Sequence, residues 1–361
     1  MRIAILFVLF VLSSCARPGP ETLALVSKPP GQKTVTILVA SVRVPADSPP
    51  YAFTVGRADR LRYREVTIAI PPGHRPPEIE WPKGKPDPRK SFAVVERRDL
   101  TRDQFVAAAH SNGASALSAG IFIHGYNYNY QEALFRLAQM SADSGVSGSP
   151  ILFDWPSQAT ITGYVADRDS AAFARDDLVS VLTDLGKSNV RTTLLAHSMG
   201  AWLAVESIRQ LSLMGREDVL GKIDQVVLAA PDIDVDLLRK QLAATKPLSH
   251  PMVILASKDD LALALSKRLA GSAATAGSLD IADPRTKELA KEENLEVIDI
   301  SSLPSVGGTN HDRFAALAAV YPQLQKTGNE NTVAGTGALV LNGVGAVVSA
   351  PFRLGGTLLA H

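Results

Sequence analysis

Hydrophobic positions fall into two regimes along the chain. Between residues 34 and 96 they lie in β-branched or alternating runs. These predict strands over 34–44, 64–70 and 91–96, with a proline-rich extended loop at 71–90. A short helix is expected over 100–112, with Phe105, Val106 and Ala109 on one face. From about residue 118 the rhythm changes, and short apolar runs alternate with amphipathic stretches. Strands are expected at 121–123, 151–153, 192–196, 223–229, 252–256 and 295–300. Helices are expected at 131–144, 170–186, 199–214, 235–244, 261–269 and 313–325. Strands alternating with helices imply an α/β fold with a mostly parallel sheet covered on both faces. Ligand sites in such folds form at the carboxyl ends of the strands.

Composition narrows the function classes. Lys+Arg (37) nearly equal Asp+Glu (36), so no basic surplus points to nucleic acid. A hydrophobic content of 46% supplies a core for one large domain. The single cysteine, Cys15, excludes an intrachain disulfide and a multi-cysteine metal site.

The place of that cysteine is itself informative. Arg2 is the only charge before it, 3–12 is an unbroken apolar run, and Ser13 and Ser14 are small. This is the layout of a secretory signal, with an apolar run too short to span a bilayer. The string Leu12-Ser13-Ser14-Cys15 resembles a bacterial lipobox, in which the cysteine is lipidated and begins the mature chain. Ordinary cleavage after Ala16 is the plainer alternative. Ala16 replaces the aspartate that retains many lipoproteins in the inner membrane, so the resemblance implies the periplasmic side of the outer membrane. The expected organisation is therefore a signal peptide (1–14), a Pro/Gly-rich tether (15–33), a β-rich extension (34–115), the α/β core (116–326) and a Gly-rich apolar tail (327–361). The uncharged stretch 333–350 is marginal in length for a membrane helix and is interrupted by glycines, so a membrane contact and a tail folded back on the body both stay open.

Three strings carry chemistry. Ala196-His197-Ser198-Met199-Gly200 follows a strand and opens a helix, matching the G-x-S-x-G nucleophile elbow with Ala196 in place of the first glycine. Small residues let strand and helix approach while the turn lifts Ser198 Oγ above the sheet. A helix-capping serine with no chemistry is the plain alternative. Ile123-His124-Gly125-Tyr126 ends an earlier strand, where hydrolases supply an oxyanion N–H. The backbone N–H groups of Tyr126 and Met199 are the candidate oxyanion donors, and His124 reads as a structural hydrogen-bonding residue. The base is sought after the last strand. His250 precedes a strand and His361 ends the chain, which leaves His311 in the loop before the last helix. The acid is sought between Ser198 and His311. Asp260 follows the strand 252–256, with Asp259 beside it as an alternative. Asp232 is a weaker contender, more suited with Asp234 to capping a helix, and Asp299 lies within a strand.

Several further strings join these in one resemblance. FIHGYN (122–127), EALFRLAQ (132–139), FDWPS (153–157), GYVADRD (163–169), AHSMG (196–200), AAPDID (229–234) and ASKDDLAL (256–263) occur in this order. Together they resemble the esterase/lipase-like bacterial α/β-hydrolases of the DUF900 family, over roughly residues 34–325. The resemblance implies the α/β-hydrolase fold and a catalytic set of Ser198, Asp260 and His311, with Asp259 as the acid's variable neighbour. Trp155 reads as packing. Asp167, Arg168 and Asp169 read as surface pairs or a helix start. The expectation is a serine hydrolase of small-molecule or lipid carboxylic esters that needs no metal or cofactor and is held at a membrane through Cys15. The alternative is a cell-envelope scaffold or binding module that keeps the hydrolase fold without catalysis.

Overall fold

The computed structural model describes residues 17–111, 118–145, 148–270, 275–305 and 308–319. Cys15 and the 333–350 segment lie outside them. Among the described residues, nine strands form one sheet in the order β3-β2-β1-β5-β4-β6-β7-β8-β9. They are β1 (Thr34–Pro45), β2 (Phe53–Ala69), β3 (Ala93–Leu100), β4 (Ser118–Ile123), β5 (Ser149–Asp154), β6 (Arg191–His197), β7 (Ile223–Ala229), β8 (Met252–Ala256) and β9 (Leu295–Asp299). β1, β2 and β3 pair antiparallel, and every other pairing is parallel. The β-rich extension is thus part of the same sheet, joined where Leu38–Ser41 run beside Ile151–Asp154.

Burial explains the strand compositions. Ile121-Phe122-Ile123 and all of β8 are buried, as expected for strands covered on both faces. β2 lies nearer the sheet's margin and carries exposed positions along much of its length. It begins at Phe53, well before the expected 64, because its first half pairs with the far end of β1 (Arg43 with Arg57, Pro45 with Phe53). Polar residues 57–64 hide that pairing from a hydrophobic scan.

Helices cover both faces. α1 (Arg102–Ser111), α3 (Tyr164–Lys187), α4 (Met199–Leu213), α6 (Val235–Ala243) and α8 (Pro284–Glu292) are on one side. α2 (Tyr130–Ser144) and a helix over 314–319 are on the other. The short α5 is Glu217–Leu220, and α7 is Leu261–Ala270. α3 starts at Tyr164 rather than near 170, and its buried stripe of Ala171, Ala174, Leu178, Val181, Leu182 and Leu185 follows the helical period. α2 opens with a capping box. Asn129 Oδ1 accepts from Glu132 N at 2.9 Å, and Asn129 N donates to Glu132 Oε2 at 3.0 Å.

The described part of the expected tether, 17–33, is docked rather than free. Leu23 is buried, Val26 N donates to Val94 O at 3.0 Å, and Arg97 donates to Leu23 O at 3.0 Å. Proline and glycine made this stretch look like a linker. Its few apolar side chains and backbone groups find partners on the sheet and α2 nonetheless. Among the described residues, no helix is long and apolar enough to cross a membrane.

Candidate active site

Ser198 sits between β6 and α4 with φ 54° and ψ −122°, a left-handed conformation that a non-glycine residue adopts only under strain. The turn is held from below, where Ser198 N donates to Ala229 O at 2.9 Å. It is also held from the side by Gly200. A Cβ there would lie 2.2 Å from His124 O and 2.6 Å from Ile123 O, so only glycine lets α4 start this close to β4. Gly125 is also constrained, since a Cβ would fall 2.7 Å from His197 Nδ1 and 2.9 Å from Ser198 Cβ. The elbow and the His124-Gly125-Tyr126 loop are therefore in direct contact.

The Tyr126 and Met199 N–H groups have no acceptor among the described residues. Met199 is the first residue of α4, where the helix's unpaired N–H groups favour negative charge. The next N–H along the loop, Asn127, is already committed to Asp167 Oδ2 at 3.2 Å.

His311 Nδ1 donates to Asp260 Oδ2 at 2.7 Å, and both side chains are largely buried. The His311 carbonyl accepts from His197 Nε2 at 3.1 Å, with the two rings 4.5 Å apart. Burial and the neighbouring His311 push the His197 imidazole well below the ordinary histidine range, so it is neutral and donates from Nε2. Its other face stacks on Phe314 at 4.3 Å. Among the described residues no hydrogen bond joins Ser198 Oγ to His311. Such bonds commonly tighten only when substrate binds.

Asp259 has a different environment. It pairs with Arg313 and accepts from Ser257 Oγ at 2.7 Å and Asn310 Nδ2 at 3.1 Å. The Arg313 guanidinium holds its carboxyl down at about 2. Asn310 takes a left-handed conformation (φ 62°) just before His311, and Leu261 N donates to Thr309 O at 3.0 Å. Asp259 thus pins the loop from which His311 projects, while Asp260 meets the imidazole.

The family follows from the chain's match to a known group. Residues 105–327 match the family described as alpha/beta hydrolase of unknown function (DUF900). The chain belongs to this family. No curated protein matches the chain. The family match begins at Phe105, so β1–β3 fall outside it although they are hydrogen-bonded into the hydrolase sheet.

Other family strings explain how the site is supported. Of the two readings for Asp167, a surface pair or a helix start, it lies in the first turn of α3 and is fully buried. It accepts from Ser157 Oγ at 2.5 Å, Gln158 N at 2.6 Å and Asn127 N, tying the first turn of α3 to both the β5 loop and the oxyanion loop. Its place in GYVADRD gave no sign of this, because a carboxylate in a first helical turn normally faces water. His124 is buried, stacks on Trp155 at 5.0 Å and accepts a structural role, with Nε2 3.1 Å from Trp155 O and Trp155 Nε1 donating to His124 O at 2.8 Å. Behind it Asp154 accepts from Arg43 Nε at 2.8 Å and Ser41 Oγ at 2.6 Å. Burial alone would raise the Asp154 carboxyl, but Arg43, His124 and Ser41 hold it below the usual range. Arg43 lies in the extension and was invisible as a site residue from its local sequence.

A cavity of about 270 Å³ opens beside Met199, walled by Tyr164 and Arg168 of α3, Trp202 of α4, and Ser266 and Lys267 of α7. Asp232 also lines it and accepts from Tyr164 Oη at 2.9 Å and Ser266 Oγ at 2.8 Å, so it is a wall residue rather than the partner of a histidine. Asp234 caps α6, accepting from Asp236 N and Leu237 N. Asp299 accepts from Ser301 N at 2.8 Å.

Proposed function

We propose that this DUF900 hydrolase is a serine hydrolase of carboxylic esters, held at a membrane through a lipid on Cys15. The observation that carries the catalytic part is the His311–Asp260 hydrogen bond of 2.7 Å, with the His311 carbonyl bonded to His197 beside a strained serine that opens a helix. Ser198 Oγ attacks the ester carbonyl carbon and His311 Nε2 takes the hydroxyl proton. Asp260 fixes the tautomer through Nδ1 and stabilises the imidazolium. The tetrahedral oxyanion is held by the Tyr126 and Met199 N–H groups. Collapse expels the alcohol, which receives the proton from His311. Water, activated by the same imidazole, then releases the acyl group from Ser198. The cavity beside Met199 accepts one arm of the ester. Its 270 Å³ lies at the small end of ligand sites, which favours a short acyl or alcohol group there.

The test is hydrolysis of a series of 4-nitrophenyl esters of increasing acyl length by wild type, Ser198→Ala and His311→Gln proteins. Activity in the wild type that both substitutions abolish supports the reading. Wild-type inactivity across the series, or equal activity in the Ser198→Ala protein, overturns it.

A further inference from the structure

The first described residue is stitched to the rim of the candidate site. Arg17 Nε donates to Glu132 Oε1 at 2.8 Å and Nη1 to Asn127 Oδ1 at 2.9 Å, and the same guanidinium also meets the carbonyls of Asn127 and Ala159. Pro18 O accepts from Gln131 Nε2 at 2.7 Å and from Asn129 Nδ2 at 3.1 Å. Asn127 follows Tyr126, and Ala159 lies in the loop after β5, so these contacts surround the oxyanion loop. Cys15 itself lies outside the described residues.

A second observation concerns exposed apolar side chains. Ile161 is 67% exposed and Val165 73% exposed, and they flank Tyr164, which walls the cavity. Leu261 (58%) and Leu265 (48%) lie on α7, whose Ser266 walls the cavity from the other side. Tyr164 and Ser266 both donate to Asp232, so α3 and α7, which carry Val165, Leu261 and Leu265, border one cavity. Arg168 and Lys267 line the same cavity and form no ion pair among the described residues. Asp169 is an exposed acid on the same turn as Arg168. By contrast, Leu213 and Met214, also exposed, are at the far end of α4.

We infer that the cleft mouth is a membrane-docking face, seated on a bilayer containing anionic phospholipid, and that esters reach Ser198 from the lipid phase. The inference rests on the lipid attachment and catalytic reading proposed above. Ile161, Val165, Leu261 and Leu265 enter the headgroup region, where each buried apolar side chain adds binding energy. Arg168 and Lys267 face lipid phosphates. The contacts of Arg17 and Pro18 fix the start of the described chain at the oxyanion loop.

The experiment uses full-length acylated protein in vesicles of phosphatidylethanolamine and phosphatidylglycerol containing a nitroxide-labelled lipid. Mass spectrometry of the N-terminal peptide establishes acylation of Cys15. Because the chain has one cysteine, Val165→Cys and Leu213→Cys each supply a single free thiol for an environment-sensitive fluorophore. Both are made in the Ser198→Ala background, so the readout needs no catalysis. The expected result is quenching and a blue shift at position 165 with neither at 213. Equal quenching at both, quenching at 213 alone, or an unmodified Cys15 overturns the proposal. A companion variant, Val165→Glu with Leu265→Glu, is expected to keep hydrolysis of a water-soluble ester while losing hydrolysis of a vesicle-embedded ester by about tenfold or more. An unchanged ratio of the two rates counts against the docking face. Failure of the wild type on both esters counts against the catalytic reading.

Discussion

Replacing Gly200 by alanine probes the contact between the elbow and the oxyanion loop. The added Cβ would sit 2.2 Å from His124 O and 2.6 Å from Ile123 O, both backbone atoms of a buried strand end. Real Cβ atoms keep at least 3.0 Å from such neighbours, so α4 and β4 must separate by roughly 1 Å in a close-packed interior. Overpacking of this kind costs about 1–3 kcal/mol of stability. The displaced groups are the ones that define the site, because Met199 precedes Gly200 and Tyr126 lies two residues after His124. A 1 Å misplacement of reacting groups costs on the order of 10²-fold in rate. The Gly200→Ala protein is expected to fold, with a lowered urea midpoint and kcat reduced about 100-fold on a short-chain ester. Gly120→Ala in β4 is the control, since a Cβ there meets nothing within 4 Å. A Gly200→Ala protein with wild-type midpoint and kcat would refute the close-contact argument.

Four further outcomes follow from the site. Asp260→Asn is expected to lower kcat by about 10³–10⁴-fold through the wrong His311 tautomer, whereas Asp259→Asn has a much smaller effect, both read by ester hydrolysis. Asp259 has its folded pKa depressed to about 2, so its contribution to stability is present above the unfolded value near 3.8 and is lost as pH falls through about 2. Urea unfolding of Asp259→Asn against wild type over that window should converge at its acid end. Removing one partner of the buried Arg43–Asp154 pair, as in Arg43→Met, leaves an uncompensated carboxylate and is expected to cost about 3–5 kcal/mol by urea denaturation. His74 donates to Glu80 and Asp143, each at 2.7 Å. Burial opposes its charge, but the two carboxylates outweigh that and raise its pKa. That stability is present below the unfolded value of 6.5 and is lost as pH rises through the folded pKa, so His74→Gln should destabilise the protein more in mildly acidic than in alkaline buffer.

The parallel core was legible because buried strands and amphipathic helices have different periods, and each of 121–123, 151–153, 192–196, 223–229 and 252–256 falls within or matches a strand. The elbow was legible because its small residues are demanded by the 2.6 Å and 2.2 Å approaches at Gly200. Asp259 and Asp260 could not be separated by spacing alone. Their difference lies in what faces them, Arg313 for one and His311 for the other, and both partners come from a loop some fifty residues later. Asp167, Arg43 and His197 were not legible as site residues for the same reason. Each acts through partners distant in sequence, and Asp167 and Arg43 are charged residues whose burial is the exception for their type. The docking of 17–33 escaped because its contacts are mostly backbone and polar, and they leave no apolar period. α8 was missed because only Thr286, Leu289 and Ala290 of its charged sequence are buried.

The central claim is that Ser198 is a nucleophile activated by His311. Its most direct test is intact mass spectrometry of the folded protein after exposure to a fluorophosphonate, which phosphonylates only an activated serine. The account predicts a single added phosphonyl group on the wild type, mapped to the peptide holding Ser198, and no addition to Ser198→Ala or His311→Gln. An unmodified wild type, or equal modification of the Ser198→Ala protein, would contradict it.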